Sequence, residues 1–229
     1  MNYGYTPLSD EPRLHLNAAD EINRYPIQLY HYLASKVEVE GLDLLEVGSG
    51  RGGGVAYIKS YLQPRKITGI DIAGNAVKMA NEHYKEQGIA FVQGSAENLP
   101  FADESFDVII NVESSHAYGS VPIFLQEVKR VLRQGGYFLC ADIRPAAAMV
   151  TLRQQLLASG MQLITEEDIS DNVRRAIELE EPIKQKRIRE NIPVRLQEVF
   201  KQFAGVVNSK AHKDLLSGQL VYYRFVLKK

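Results

Sequence analysis

The chain has 229 residues, 45% of them hydrophobic, with one Cys, no Trp and a formal charge of −1 from 27 Lys and Arg against 28 Asp and Glu. That balance excludes a globally basic nucleic-acid binder, the lone Cys140 excludes an internal disulfide framework, and the length suffices for a hydrophobic core without staples. No apolar run approaches the ~18–20 residues needed to cross a bilayer, and MNYGYTPLSDEPR has neither the basic nor the apolar region of a secretory leader. The expectation is a cytoplasmic protein of one domain over residues 1–229.

Residues 1–24 are polar and turn-rich, with Pro7 and Pro12, and read as an arm. Ile27, Tyr30, His31 and Ala34 recur at helical spacing and predict a helix over 25–37. Short runs rich in β-branched residues then alternate with longer amphipathic stretches, the mark of βαβ units and a mainly parallel sheet. Strands are predicted at 42–47, 66–72, 90–93, 106–111 and 136–142. Helices are predicted at 53–61, 74–87 and 121–132, the last stopped by Gly135-Gly136. A helix over 147–159 ends at Gly160, and MQLITEEDI adds a strand. Beyond Asp171 two helical stretches flank Pro193, the first dense in charge, and QLVYYRFVLKK alternates like a terminal strand. The pattern divides into an arm (1–40), a core (41–170), a helical insertion (171–218) and a final strand (219–229).

The sharpest feature is LLEVGSGRGGG at 44–54, a strand running into five glycines before a helix. Glycines let the backbone turn tightly and approach a ligand without a Cβ in the way, at a helix N-terminus. Gly48, Gly50 and Gly53 satisfy GxGxxG, and Asp71 ends the next strand where an acid accepts from ribose hydroxyls. The motif alone suits NAD or S-adenosylmethionine equally. Glu46, in an otherwise apolar strand, tips the choice, because a buried carboxylate is costly without a positive or hydrogen-donating partner. It suits an ammonium- and sulfonium-bearing cofactor better than a pyrophosphate. A Walker-type lysine is absent, and the one Tyr-x-x-x-Lys match, Tyr32 with Lys36, precedes the glycine loop, so a dehydrogenase is the weaker reading.

Four ordered stretches over 42–144, LLEVGSGRGGG, ITGIDIAGNAV, GSAENLPFADESFDVIINVESSHAY and VLRQGGYFLCADIR, resemble class I S-adenosylmethionine-dependent methyltransferases. NVESSHAY, DISDNVRRAIE and EVFKQFAGVVNSKAHKDLLSGQLVYYRF extend the likeness toward bacterial small-molecule O-methyltransferases of lipid and polyketide pathways, of the phthiotriolone/phenolphthiotriolone dimycocerosate methyltransferase type. The resemblance implies a Rossmann-like α/β/α sandwich with a seven-stranded, mostly parallel sheet, an antiparallel last strand and a helical lid over the acceptor pocket. It implies S-adenosyl-L-methionine as cofactor and an apolar, hydroxylated small molecule as acceptor.

By that resemblance Glu46, Gly48, Ser49, Gly50 and Gly52 surround the cofactor's methionine part, Asp71 holds its ribose and Ile72 packs on its adenine. Ser95 stands where relatives often carry an Asp that accepts from the adenine amine, and as a neutral hydroxyl it is a weaker partner. Ala96 and Glu97 flank the adenine, although Glu97 also reads as a helix-start carboxylate. Asn111 ends the fourth strand, with its carbonyl or side chain toward the cofactor ammonium.

Methylating a hydroxyl requires removal of a proton, and histidine is the natural base at neutral pH. Of five histidines, His15 and His83 sit in polar contexts, His31 on an apolar-faced helix and His212 in the late helical region. His116 alone follows the fourth strand, so it is the expected base, with Glu113 orienting it and Glu113 or Asp142 as substitute bases. The segment after Asn111 lacks the Asn/Asp-Pro-Pro-Tyr pattern of nucleic-acid amino methyltransferases. The Lys184, Lys186, Arg187 and Arg189 cluster, interleaved with acids, reads as a solvated helix face. No spaced metal-ligand set is present, and Asp103 and Glu104 read as solvent-facing. Ile177, Leu179, Ile183, Ile188, Leu196, Phe200 and Phe203 either line an apolar acceptor pocket or form the inner faces of lid helices. C- or N-methylation and a non-catalytic cofactor binder stay open.

Overall fold

The computed structural model describes residues 2–229, without the side chain of Phe203, so that apolar position lies outside the description. Seven strands, β1 (Asp43–Val47), β2 (Lys66–Asp71), β3 (Ala90–Gln93), β4 (Phe106–Val112), β5 (Leu132–Pro145), β6 (Gln162–Asp168) and β7 (Leu220–Lys228), form one sheet. Their order is β3-β2-β1-β4-β5-β7-β6. β1 pairs parallel with β2 and β4, while β7 runs antiparallel between β5 and β6. The chain walks outward from β1 to β3 and then returns beside β1 as β4. That reversal opens a crevice at the carboxyl ends of β1 and β4, where open α/β sheets bind ligands.

Helices α1 (Arg24–Ala34), α2 (Gly53–Leu62) and α3 (Gly74–His83) cover one face, and α4 (Val121–Val131) and α5 (Ala146–Ala158) the other. The period-2 alternation of a strand sets this up: Leu44 joins the first core while Leu45 and Val47 join the second. α4 forms because Val121, Phe124, Leu125, Val128 and Val131 make one buried stripe at helical spacing, and the Ser120 hydroxyl accepts from the Ile123 N–H at its start. Each such side chain contributes ~1.5–3 kcal/mol of burial, so Phe124→Ala would cost ~3–5 kcal/mol.

The glycine pair Gly135-Gly136 does not stop α4. The helix ends at Val131 and β5 begins at Leu132, and Gly135, at φ +77°, lies in an irregular stretch of β5 between the Phe106–Leu132 and Val108–Tyr137 pairs. β5 is accordingly longer than expected at both ends, and α1 stops three residues early, at Ala34.

The two helical stretches expected on either side of Pro193 are α6 (Ser170–Asn191) and α7 (Gln197–Ala204), and a further short helix, α8 (Lys210–Leu216), follows them before β7. Val173 and Ile177 of α6 and Leu215 of α8 pack into the core with Tyr222 and Val226 of β7. The charged stretch is not wholly solvated: Glu180 and Lys184 are buried one turn apart, with Nζ 3.1 Å from Oε2. Of the expected lid residues, Ile177 and Ile188 are buried, whereas Leu179, Leu196 and Phe200 are exposed. The N-terminal arm lies against this insertion, with the Asn172 side-chain amide donating to the Thr6 carbonyl and the Tyr3 ring filling the space beside Gly205.

Candidate active site

The loop after β1 is built for close approach. Gly48, Gly50 and Gly52 all have positive φ, and a Cβ on Gly48 would lie 2.2 Å from the Ser114 hydroxyl, one on Gly52 2.4 Å from the Phe91 ring. At Gly50 a Cβ would meet nothing within 4 Å, so there the loop faces open space. Asp71 ends β2 and accepts from the Gly50 N–H at 2.7 Å and the Ala73 N–H at 2.8 Å, which ties the two loops together. Ile72 beside it is 73% exposed, an apolar side chain held at the rim.

Gly48, Asp71 and Ile72 border a cavity of about 410 Å³, with Ser95, Ala96, Glu97 and Glu113 among its other lining residues; Glu46, Ser49, Gly50 and Gly52 do not line it. That volume falls in the ~300–1,000 Å³ range of small-molecule sites. A hollow of about 520 Å³ lies at the opposite, amino-terminal ends of β1, β2 and β4, among Asp43, Lys66 and Arg133, away from the strand ends that bind ligands in such folds. Ser95 and Glu97 are engaged in the local architecture: the Ser95 hydroxyl accepts from the Glu97 N–H at 3.1 Å, and Glu97 Oε1 accepts from the Ser120 N–H at 2.6 Å. Glu97 thus serves the start of α4 while facing the cavity.

Behind the glycine loop Glu46 is wholly buried, and burial pushes its carboxyl up to about 8. The Tyr30 phenol of α1 donates to Oε1 at 2.5 Å, while Oε2 has no hydrogen-bond partner among the described residues. Ser49 Oγ is likewise buried without a hydrogen-bond partner among the described residues. A buried carboxylate oxygen and a hydroxyl left open beside a glycine loop fit a group that brings positive charge and hydrogen-bond donors, as the methionine end of S-adenosylmethionine does. Tyr30 was not legible as a site residue. Its trace in the sequence is Gly54, where a Cβ would fall 2.1 Å from the Tyr30 ring.

Asn111 does not present its side chain to the cavity. It is fully buried, and its amide donates to the Val47 carbonyl, the Ser114 hydroxyl and the Tyr118 hydroxyl at 2.8–3.0 Å. It joins the end of β1 to the loop after β4, so its side chain is spent on positioning that loop.

The same loop carries Glu113, at φ +46°, a backbone conformation that favours glycine and stores strain at functional sites. Its Oε1 accepts from the Tyr3 N–H at 2.8 Å and the Tyr222 hydroxyl at 3.0 Å, and burial raises its carboxyl to about 7. Glu113 therefore fastens the N-terminal arm and does not orient His116. Asp142, at the end of β5, does that instead: its Oδ1 lies 2.7 Å from His116 Nδ1. The Asp142 carboxylate is itself fixed, wholly buried and accepting from Ser115, Arg144 and the Ile143 N–H. Its hydrogen bond raises the imidazole above its ordinary value. With Nδ1 engaged, Nε2 of the half-exposed ring has no hydrogen-bond partner among the described residues; His116 does not itself line the cavity, but Ser114 and Ala117 on its turn do.

The remaining histidines are elsewhere engaged or exposed. His31 Nδ1 lies 2.7 Å from the Tyr57 hydroxyl, and His212 is buried at the start of α8. Tyr32 stacks on Tyr5 with the Lys36 ammonium 4.4 Å above its ring, which accounts for that pair structurally.

Comparison with known proteins decides the family. The profile described as Methyltransferase domain matches residues 45–140. The phthiotriol/phenolphthiotriol dimycocerosates methyltransferase of Mycobacterium tuberculosis is 37% identical over 230 residues, covering 100% of this chain and 84% of that protein. The chain belongs to the class I S-adenosylmethionine-dependent methyltransferases. The fatty-acid O-methyltransferase of Mycolicibacterium smegmatis is 42% identical over 179 residues, 78% of this chain and 65% of that enzyme. In fold, this methyltransferase matches the geranyl diphosphate C-methyltransferase of Streptomyces coelicolor, solved with S-adenosyl-L-homocysteine, at a TM-score of 0.70 and 14% identity over 100% of this chain and 92% of that one. The cofactor is S-adenosylmethionine, and the glycine loop, Asp71 and the open Glu46 oxygen are the features of this chain that suit it.

Proposed function

We propose that this methyltransferase moves the methyl group of S-adenosylmethionine onto an oxygen of a lipid-type or polyketide-type acceptor, with His116 as general base. The observation that carries this is the His116–Asp142 hydrogen bond, on a turn whose Ser114 and Ala117 line the cofactor cavity. The names of the relatives, which are lipid methyltransferases including an O-methyltransferase, support the acceptor class.

The cofactor, when bound, supplies a methyl group on a sulfonium, electrophilic without further activation. Gly48, Gly50, Gly52 and Ser49 would wrap its methionine end, with Glu46 meeting the ammonium. Asp71 would exchange its Gly50 bond for ribose hydroxyls, and Ile72, Ser95, Ala96 and Glu97 would border the adenine. His116 Nε2 takes the acceptor's hydroxyl proton, Asp142 stabilises the imidazolium, and the half-exposed ring then returns the proton to water. The arm (1–40) and insertion (171–218) act as the cover that excludes water, with Glu113 and Tyr222 holding the arm down through Tyr3.

The test is transfer from methyl-labelled S-adenosylmethionine to a panel of long-chain lipids carrying a free hydroxyl, a phenol, a carboxyl or an amine. An O-methyl product is expected. Label appearing only on carbon or nitrogen, or on none of the panel, contradicts the proposal.

A further inference from the structure

The outer face of the insertion is apolar where a water-facing helix is ordinarily polar. Val194 is 84% exposed and Val199 67%, and Leu196, Val199 and Phe200 fall on one face of α7 and its lead-in by their i, i+3, i+4 spacing. Between residues 184 and 213 the chain carries eight Lys and Arg, of which Lys184, Lys186, Lys201 and Lys210 pair with Glu180, Glu190, Glu198 and Asp214. Arg189, Arg195 and Lys213 are exposed, and among the described residues no carboxylate pairs with them. Apolar side chains flanked by unneutralised cations match a surface that is negative at its headgroups and apolar just beneath. A protein partner would have to supply both features in one patch, and a second copy of this chain would bring the same positive charge against itself.

This face also connects to the site. Gly205 ends α7, the Tyr3 ring packs beside it, and the Tyr3 N–H donates to Glu113 in the cofactor cavity. We propose that the 194–200 face docks the enzyme on an anionic lipid surface. Delivery of the acceptor from that surface rests on the lipid-acceptor reading above; docking itself does not. The contact is peripheral, since no helix among the described residues is long and apolar enough to cross a membrane.

The test is co-sedimentation of the full chain with vesicles of phosphatidylcholine alone and of phosphatidylcholine mixed with phosphatidylglycerol, at low and high salt, without any acceptor. Binding to the mixed vesicles is expected, weaker by about tenfold or more on the neutral ones and in high salt. Val194→Asp with Val199→Asp, both at exposed positions, is expected to weaken it by about tenfold while S-adenosylhomocysteine affinity is unchanged. No binding to mixed vesicles, equal binding to both kinds, or an unaffected double variant overturns the proposal. So does a dimer that the double variant dissociates. Vesicle binding by an enzyme that methylates none of the lipid panel leaves docking standing and removes the acceptor reading instead.

Discussion

The Tyr30 phenol and the Glu46 carboxylate share one buried hydrogen bond across the boundary between α1 and β1, and Oε2 of Glu46 has no hydrogen-bond partner among the described residues. Because burial lifts this carboxyl to about 8, it is protonated in the free enzyme at neutral pH. A folded value above the unfolded one gives stability that is full below about pH 4.5 and is lost as pH rises toward 8, on the order of 4–5 kcal/mol in all. An arriving ammonium favours the ionised form, so cofactor binding should release a proton and tighten from pH 6 to 8. Calorimetric titration with S-adenosylhomocysteine in buffers of different ionisation heat checks this. In Glu46→Gln the proton release and the pH slope should vanish, and their persistence would remove Glu46 from the cofactor site.

Gly54 lies outside the GxGxxG pattern yet is closed to a side chain by Tyr30. Alanine in a helix is ordinarily better than glycine by ~1 kcal/mol. Here Gly54→Ala should instead displace the Tyr30 ring and weaken cofactor binding by about tenfold, as Tyr30→Phe should, since a hydrogen bond to a charged group is worth ~1.5–3 kcal/mol. Titration of both variants, with melting temperatures alongside, decides it.

Asp142 raises the His116 value by accepting from its ring. A base must be neutral, so the rate should climb with pH through a value above the usual ~6.5 for histidine. Asp142→Asn should move that limb to lower pH and slow turnover by roughly 100-fold. A limb that stays in place in the pH–rate profile would separate Asp142 from the chemistry.

Glu180 and Lys184 form a buried pair in α6. Lys184→Met strands the carboxylate and should cost ~3–5 kcal/mol, whereas Glu180→Gln with Lys184→Met should recover most of it. Chemical denaturation of the two variants measures the difference.

The fold was legible because strand and helix periods alternate cleanly and each ligand loop follows a strand, as with Gly48 and Asp71. The site was legible only along the chain. The pairing of His116 with Asp142 spans 26 residues and depends on β4 lying beside β5 in the register that sets Val112 against Ala141. Glu113, nearer in sequence, was therefore the expected partner and was wrong for that role. Tyr30 and Tyr3 reach the site through packing of the arm, which no local period encodes. Gly135 read as a helix stop because glycine serves both that purpose and a break in a strand, and only the partner strand distinguishes them.

The most direct test of the central claim is the single-turnover rate of His116→Ala with saturating S-adenosylmethionine, measured on a hydroxyl-bearing lipid and on a fatty acid. A carboxylate is already ionised at neutral pH and needs no base, whereas a hydroxyl does. The expected result is a loss of ~100-fold or more on the hydroxyl, little change on the carboxylate, and unaltered S-adenosylhomocysteine affinity. Full turnover of the hydroxyl acceptor by His116→Ala would contradict the assignment of His116 as the base.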